Sequence, residues 1–234
     1  MAIPRTTFHA GAISNAEHLI KGTMRIISTN RAQPTRIQWK GKSQITGIYK
    51  KPVPGGIHLT PNGIQGDTIG NRKVHGDAQK AAYLFSLDEY AFWQNQYPTL
   101  DWGHGMFGEN LTVEHLDETA LIMGSTYQIG ETMVRITTPR EPCFKLGIRF
   151  GDQGVIEKFV ARGCPGSYVS VLESGWIRPG DTLELLEVPK DSLSIAEFYR
   201  MWYAPSKDPE VLQKALSLPG LAQEKKEQLL RWVS

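Results

Sequence analysis

A chain of 234 residues is long enough for one well-buried core, or for a main domain with a small appendage. Its apolar and charged fractions, 40% and 21%, are those of an ordinary globular protein, and a net charge of +2 argues against a nucleic-acid or membrane-surface partner. Met1 to Gly22 holds no apolar run suited to a signal peptide, and no stretch approaches the ~18 apolar residues of a membrane span. The expected location is therefore the cytoplasm, where the two cysteines, Cys143 and Cys164, stay reduced. Two thiols are too few for an iron–sulfur cluster, which takes four ligands.

Residues 1–23 read as a loosely held N-terminal arm. From Met24 the pattern is strand-like, with Met24 to Ser28, Thr35 to Trp39 and Gln44 to Tyr49 extended and Gly41-Lys42 as a turn. Ile57 to Thr60 follows, then a glycine-rich loop, Pro61 to Asp67. Ala81 to Phe85 is an apolar run of strand length, consistent with burial on both faces. Ser86 and Glu89 have capping-box spacing, opening a helix that stops before Pro98. Leu111 to Val113 is a strand, and Ser125 to Ile129 and Thr132 to Thr138 form a hairpin. Asp152 reads as the N-cap of a helix closed by Gly163. Ser167 to Leu172 and Thr182 to Val188 are the last strands. Many short strands with only two helices among them predict a mainly β domain, a barrel or sandwich, over residues 24–188. Beyond Pro189 the pattern is helical, with a second capping box at Ser194 and Glu197, Asp208-Pro209 opening a second helix, and a third over Leu221 to Trp232. Residues 189–234 thus read as a small three-helix unit.

Chemistry concentrates in Thr137 to Leu146, where Cys143 lies three residues after Arg140 and two before Lys145. Pro139 and Pro142 stiffen the segment and push Thr138 and Glu141 toward extended geometry, so Cys143 is offered from a rigid loop. A thiol acts as nucleophile or metal ligand only as the thiolate, which nearby cations favour; the alternative is a small buried hydrophobe. Cys164 sits where a helix ends, facing carbonyls, and reads as structural. Gly108-Glu109-Asn110-Leu111 offers a carboxylate and an amide on a turn, or merely a turn. Lys73-Val74-His75-Gly76 sets a cation and an imidazole beside permissive backbone, six residues after Asp67. Zinc-ligand spacing, a P-loop, a dinucleotide fingerprint and a Ser nucleophile elbow are all absent.

Taken in order, Gly63-x-x-Gly66-Asp67, Lys73-x-His75-Gly76, Gly108-Glu-Asn-Leu111, Pro139-Arg-x-Pro-Cys-x-Lys-Leu146 and Gly180-Asp181 resemble the MOSC domain, named for the C-terminal region of molybdenum-cofactor sulfurases. The likeness is closest to stand-alone bacterial YiiM-type members with a C-terminal three-helix domain, and it includes Thr46-Gly-Ile-Tyr-Lys-Lys-Pro-Val53. One departure is Gly76-Asp77-Ala78, where the family usually reads Gly-Gly-Pro. The resemblance implies a MOSC-type β-barrel whose cysteine, here Cys143, ligates the molybdenum of a pterin cofactor (molybdopterin). It implies reduction of N-hydroxylated bases or amidoximes. Arg140, Lys145 and Lys73 are expected to hold the cofactor's phosphate. Glu109 and Asn110 are expected at the pterin edge, Asp67 in the same cofactor-binding set, and His75 as a catalytic proton donor. No flavin, haem or iron–sulfur motif is present, so an external flavoprotein or iron–sulfur reductase is expected as electron donor. Two other readings stay open: a sulfur carrier with a persulfide on Cys143, and a non-catalytic cofactor-binding module.

Overall fold

The structure is a computed structural model that describes residues 22–68, 78–218 and 221–233. Alternation of apolar and polar residues lays down β1 (Arg25–Arg31), β2 (Thr35–Trp39) and β3 (Lys42–Thr46). Lys40 and Gly41 both take positive φ, 49° and 74°, as a two-residue hairpin linking β2 to β3 requires. Short strands β4 (Lys51–Pro52), β5 (Ile57–Thr60) and β6 (Gly63–Ile64) follow, then the fully buried β7 (Ala82–Ser86). Helix α1 (Tyr90–Gln96) crosses to β8 (Leu111–Glu114), which lies parallel to β7. Next come β9 (Thr126–Ile129), β10 (Thr132–Pro139), α2 (Phe144–Phe150), α3 (Val155–Arg162), β11 (Ser167–Glu173), β12 (Gly175–Ile177) and β13 (Leu183–Glu187). Helices α4 (Ile195–Tyr203), α5 (Pro209–Ser217) and α6 (Gln223–Val233) end the described chain.

The main sheet has the order β13-β9-β10-β11-β7-β8-β1-β4, all neighbours antiparallel except β7 and β8. It curls so that β1 approaches β13, where Arg25 and Thr182 form one bridge and the Leu183 amide donates to Met24 O at 3.0 Å. The ladder is not continuous there. The fold is therefore a mixed α/β architecture, mostly sheet with helices, and not the regular closed barrel expected from sequence.

Two hydrophobic clusters fill it. The larger holds Ile26, Leu111, Ile129, Val134 and Val169 of the sheet together with Phe198, Leu212 and Leu229 of α4, α5 and α6. The C-terminal helices thus share the sheet's core. The second is aromatic: Phe85, Trp93, Phe107, Phe150 and Phe159 pack at ring separations of 4.1 to 6.2 Å beneath the Cys143 segment.

Local signals fared unevenly. Ser194 and Glu197 make both hydrogen bonds of a capping box, and Asp208 caps α5 through the Glu210 and Val211 amides. The box expected at Ser86 does not form: a 3₁₀ turn over Leu87–Glu89 intervenes, Ser86 Oγ is buried without a partner, and Glu89 instead accepts from Nε and Nη2 of Arg162 at 2.7 and 2.9 Å. Asp152 makes an Asx-type bond to the Gly154 amide at 2.8 Å, one turn before α3, and Gly163 ends that helix at φ 75°.

Candidate active site

Cys143 ends a short irregular segment, residues 140–143, as its prolines suggest, and that segment runs directly into a helix. Cys143 occupies the N-cap position of the seven-residue helix α2, with φ −134° and ψ 172°. Strand β10 delivers it: Pro139 pairs with Ser167 of β11, Arg140 and Glu141 leave the sheet, and the helix begins at Phe144. Trp39 at the tip of the β2–β3 hairpin stacks on Phe144, centroids 4.9 Å apart and planes 17° off parallel, so the hairpin braces the residue next to the thiol.

Cys143 opens into a pocket whose cations are Arg140, Lys145, Lys50 and Lys80 and whose floor includes Tyr83 and Tyr168. Gly47 forms part of its wall. A Cβ there would lie 1.8 Å from Thr68 O, so only glycine lets the two segments touch. Arg140 is 6% exposed and lies over the rings of Tyr83 and Phe159 at 5.1 and 5.7 Å. Its Nη1 is buried with no hydrogen-bond partner. Lys145 is likewise buried. A buried guanidinium with an unmatched N–H is costly unless something anionic meets it.

Asp67 and Asn110 line the same pocket as Cys143, whereas Glu109 is not among its lining residues. Asp67 Oδ2 pairs with Lys50 Nζ at 2.6 Å and accepts from Asn110 Nδ2 at 2.9 Å, while Oδ1 accepts from the Ala32 amide at 2.7 Å. Asn110 is also committed: Oδ1 accepts from the Tyr83 amide at 3.2 Å and Nδ2 reaches Asn30 O at 3.2 Å. These two residues hold Lys50 and the strands in place and have little left for a ligand. Burial lowers the Lys50 pKa, against the pull of Asp67 and then Glu109. Glu109 is fully buried and turned inward. Its Oε1 accepts from the Tyr90 hydroxyl, the Gly105 amide and Thr112 Oγ1, and its Oε2 from the Phe107 amide at 3.0 Å. It makes a structural hub. Lys73 and His75 lie outside the described residues. Sequence reasoning missed Lys50, which directly follows the predicted strand Gln44 to Tyr49, and Tyr83 and Tyr168, which read as strand residues.

Cys164 is a free thiol pushed up to about 12 by burial, then by the Glu118 and Glu89 carboxylates. That agrees with a structural role, although neighbouring carboxylates rather than helix carbonyls supply the charge. Glu118 itself is raised from 4.5 to about 7, by burial first, even though it accepts the Gly166 amide at 3.0 Å. The folded state then binds a proton more tightly than the unfolded chain. This contribution is full below pH 4.5 and is lost as pH rises through 7, on the order of 3 kcal/mol in all. Glu118→Gln mimics the protonated form, so urea unfolding should find it close to wild type near pH 4.5 and clearly more stable at pH 8. Equal stability of the two at pH 8 would contradict this.

Residues 71–184 match the MOSC domain family. YflK, an uncharacterised protein of Bacillus subtilis, is 31% identical over 198 residues, 85% of this chain and 89% of its own length. The chain belongs to the MOSC domain family. Among solved structures, YiiM from Geobacillus stearothermophilus superposes with a TM-score of 0.75 at 26% identity, covering 90% of this chain and all of that one. A protein of Gibberella moniliformis named a reductase is 28% identical over 177 residues, although the match covers only 31% of its length. MOSC domains are generally associated with the molybdenum cofactor.

Proposed function

We propose that this protein is a molybdenum-cofactor oxidoreductase that reduces N-hydroxylated bases or related N-hydroxy compounds. The observation that carries the reading is the convergence, in one pocket, of the Cys143 thiol with the buried, unmatched guanidinium of Arg140. The donor set fits the group. A thiolate suits a molybdenum centre already coordinated by a pterin dithiolene. Arg140 offers a planar fork and Lys145 a point charge for the cofactor's phosphate. When bound, the cofactor supplies the two-electron chemistry of N–O cleavage.

The chain's own residues do the rest. Cys143 ligates from a helix N-cap that Trp39 and Phe144 brace. Arg140 and Lys145 anchor and orient the anionic end. Lys50, tied to Asp67 and Asn110, keeps positive charge on the wall facing them. The overall change consumes R–NH–OH, two electrons and two protons and yields R–NH₂ and water. We assign delivery of the proton that leaves with oxygen to His75 and a share of phosphate binding to Lys73. The electrons come from an external flavoprotein or iron–sulfur reductase, and the setting is the cytoplasm. The name of the fungal relative supports a reductase reading.

Elemental analysis of the wild type beside Cys143→Ser tests the assignment. Near-stoichiometric molybdenum is expected in the wild type and a loss of at least tenfold in the variant, together with turnover of an N-hydroxylated purine under a reductase and its loss in Cys143→Ser. Cyanide-labile sulfur on Cys143 without molybdenum would establish a sulfur carrier. Bound molybdenum without turnover under any donor would establish a storage module.

A further inference from the structure

The segment that presents Cys143 is gripped from a part of the chain with no obvious chemistry. Lys225, in the first turn of α6, pairs with Glu141 Oε1 across 84 positions of sequence. The Lys225 side chain is only 12% exposed, and its ammonium lies 3.4 Å from the centre of the Trp202 ring on α4. Trp202 is itself fixed, stacked on Phe198 at 5.8 Å and met edge-on by Trp232 at 4.8 Å. Lys207 closes the far side, donating to the Met201, Trp202 and Ala204 carbonyls at 3.0, 2.8 and 2.7 Å and lying 4.2 Å from the Trp232 ring centre.

We infer that the C-terminal helices complete the candidate site, with Lys225 acting as a positioning residue that holds Glu141 and thereby the presentation of Cys143. Exposed ion pairs hold little, between zero and about 1 kcal/mol. This one differs because the ammonium is sunk against an indole face and Glu141 is the carboxylate paired with it. Burial lowers the Lys225 pKa, against the pull of Glu141. The lever arm is stiff: Pro142 follows Glu141 directly, restricting both residues, so fixing Glu141 fixes the direction in which Cys143 leaves. Glu141 also borders the pocket. The role takes Cys143 as the key residue, as in the reading above, but it concerns how the segment is held and is tested without cofactor chemistry.

Amide hydrogen exchange on the cofactor-free full chain, read by mass spectrometry, decides it. In Lys225→Met the amides of residues 140–146 should exchange about tenfold faster, while peptides from β7 and β11 keep their protection. Lys225→Arg should stay close to wild type, and the charge swap Glu141→Lys with Lys225→Glu should restore most of the protection lost in Lys225→Met. Glu141→Gln, a milder change at a more exposed position, should loosen the same segment. Unchanged exchange over 140–146 in both Lys225→Met and Glu141→Gln would overturn the inference. So would a loss spread evenly along the chain in Lys225→Met with Glu141→Gln like wild type. Because this readout needs no molybdenum, a negative result here and a negative elemental analysis point to different errors.

Discussion

Replacing Glu109 by alanine should cost the fold on the order of 4 kcal/mol, a large share of the 5–15 kcal/mol that holds a typical domain together. The carboxylate accepts from two backbone amides, Gly105 and Phe107, and two hydroxyls, Tyr90 and Thr112, none of which has open solvent beside it. Truncation leaves four buried donors facing a cavity, at roughly 1–3 kcal/mol for each that water does not rescue. Glutamine preserves the shape but not the pattern. Its amide group must replace one oxygen, and the lesser conflict is at Oε2, where it would confront only the Phe107 N–H. Glu109→Gln should therefore fall between wild type and alanine in chemical denaturation. A cofactor-edge role for Glu109 makes the opposite prediction, with little change in apo stability and weaker cofactor retention in both variants.

From sequence, Glu109 reads as a ligand candidate on a turn. Gly108-Glu109-Asn110-Leu111 announces a turn entering a strand, but not which side of that turn faces the pocket. The tight backbone at Gly108, with φ 80°, sets Glu109 among its own turn's amides. Signals that are local in sequence survived: the β9–β10 hairpin, the caps at Ser194 and Asp208, and the grouping of Arg140, Cys143 and Lys145 within six residues. Signals that depend on distant partners did not. Ser86 and Glu89 have capping-box spacing, yet Arg162 captures Glu89 from 73 residues away. Helix α2 escaped notice because it is seven residues long, contains Gly147 and follows two prolines. The helical tail reads as inert for the same reason, since the contact that matters spans 84 positions. The sheet's near-closure rests on the Arg25–Thr182 bridge and a few backbone hydrogen bonds beside it, and no strand periodicity encodes them.

Arg140 separates stability from function in a way that one substitution can expose. In the cofactor-free protein its buried guanidinium has an Nη1 without a partner, and what surrounds it is the rings of Tyr83 and Phe159 and the hydroxyls of Tyr83 and Tyr168, with no carboxylate among the described residues paired to it. Methionine fills much of the same volume, replaces the cation–ring contact by a favourable sulfur–ring one and removes the unmatched charge. Replacing buried ionic groups by packed apolar ones is often neutral or stabilising. Arg140→Met should therefore raise the apo stability by about 1 kcal/mol, a gain of roughly 2–4 °C in Tm for a chain of this size. On the proposed reading the same change deletes a two-pronged contact to the cofactor's anionic end. At about 1.5–3 kcal/mol for each charge-assisted bond, cofactor retention should drop by at least about a hundredfold. Arg140→Lys keeps the charge without the fork and should lie between. Differential scanning calorimetry of the apo proteins beside molybdenum content after dialysis reads both effects. A fall of several degrees in apo Tm would make Arg140 a structural residue, and undiminished retention would move the anion anchor to the lysines. The expected crossing, firmer without cofactor and weaker at holding it, is what a site that keeps an unmatched cation for its ligand should show.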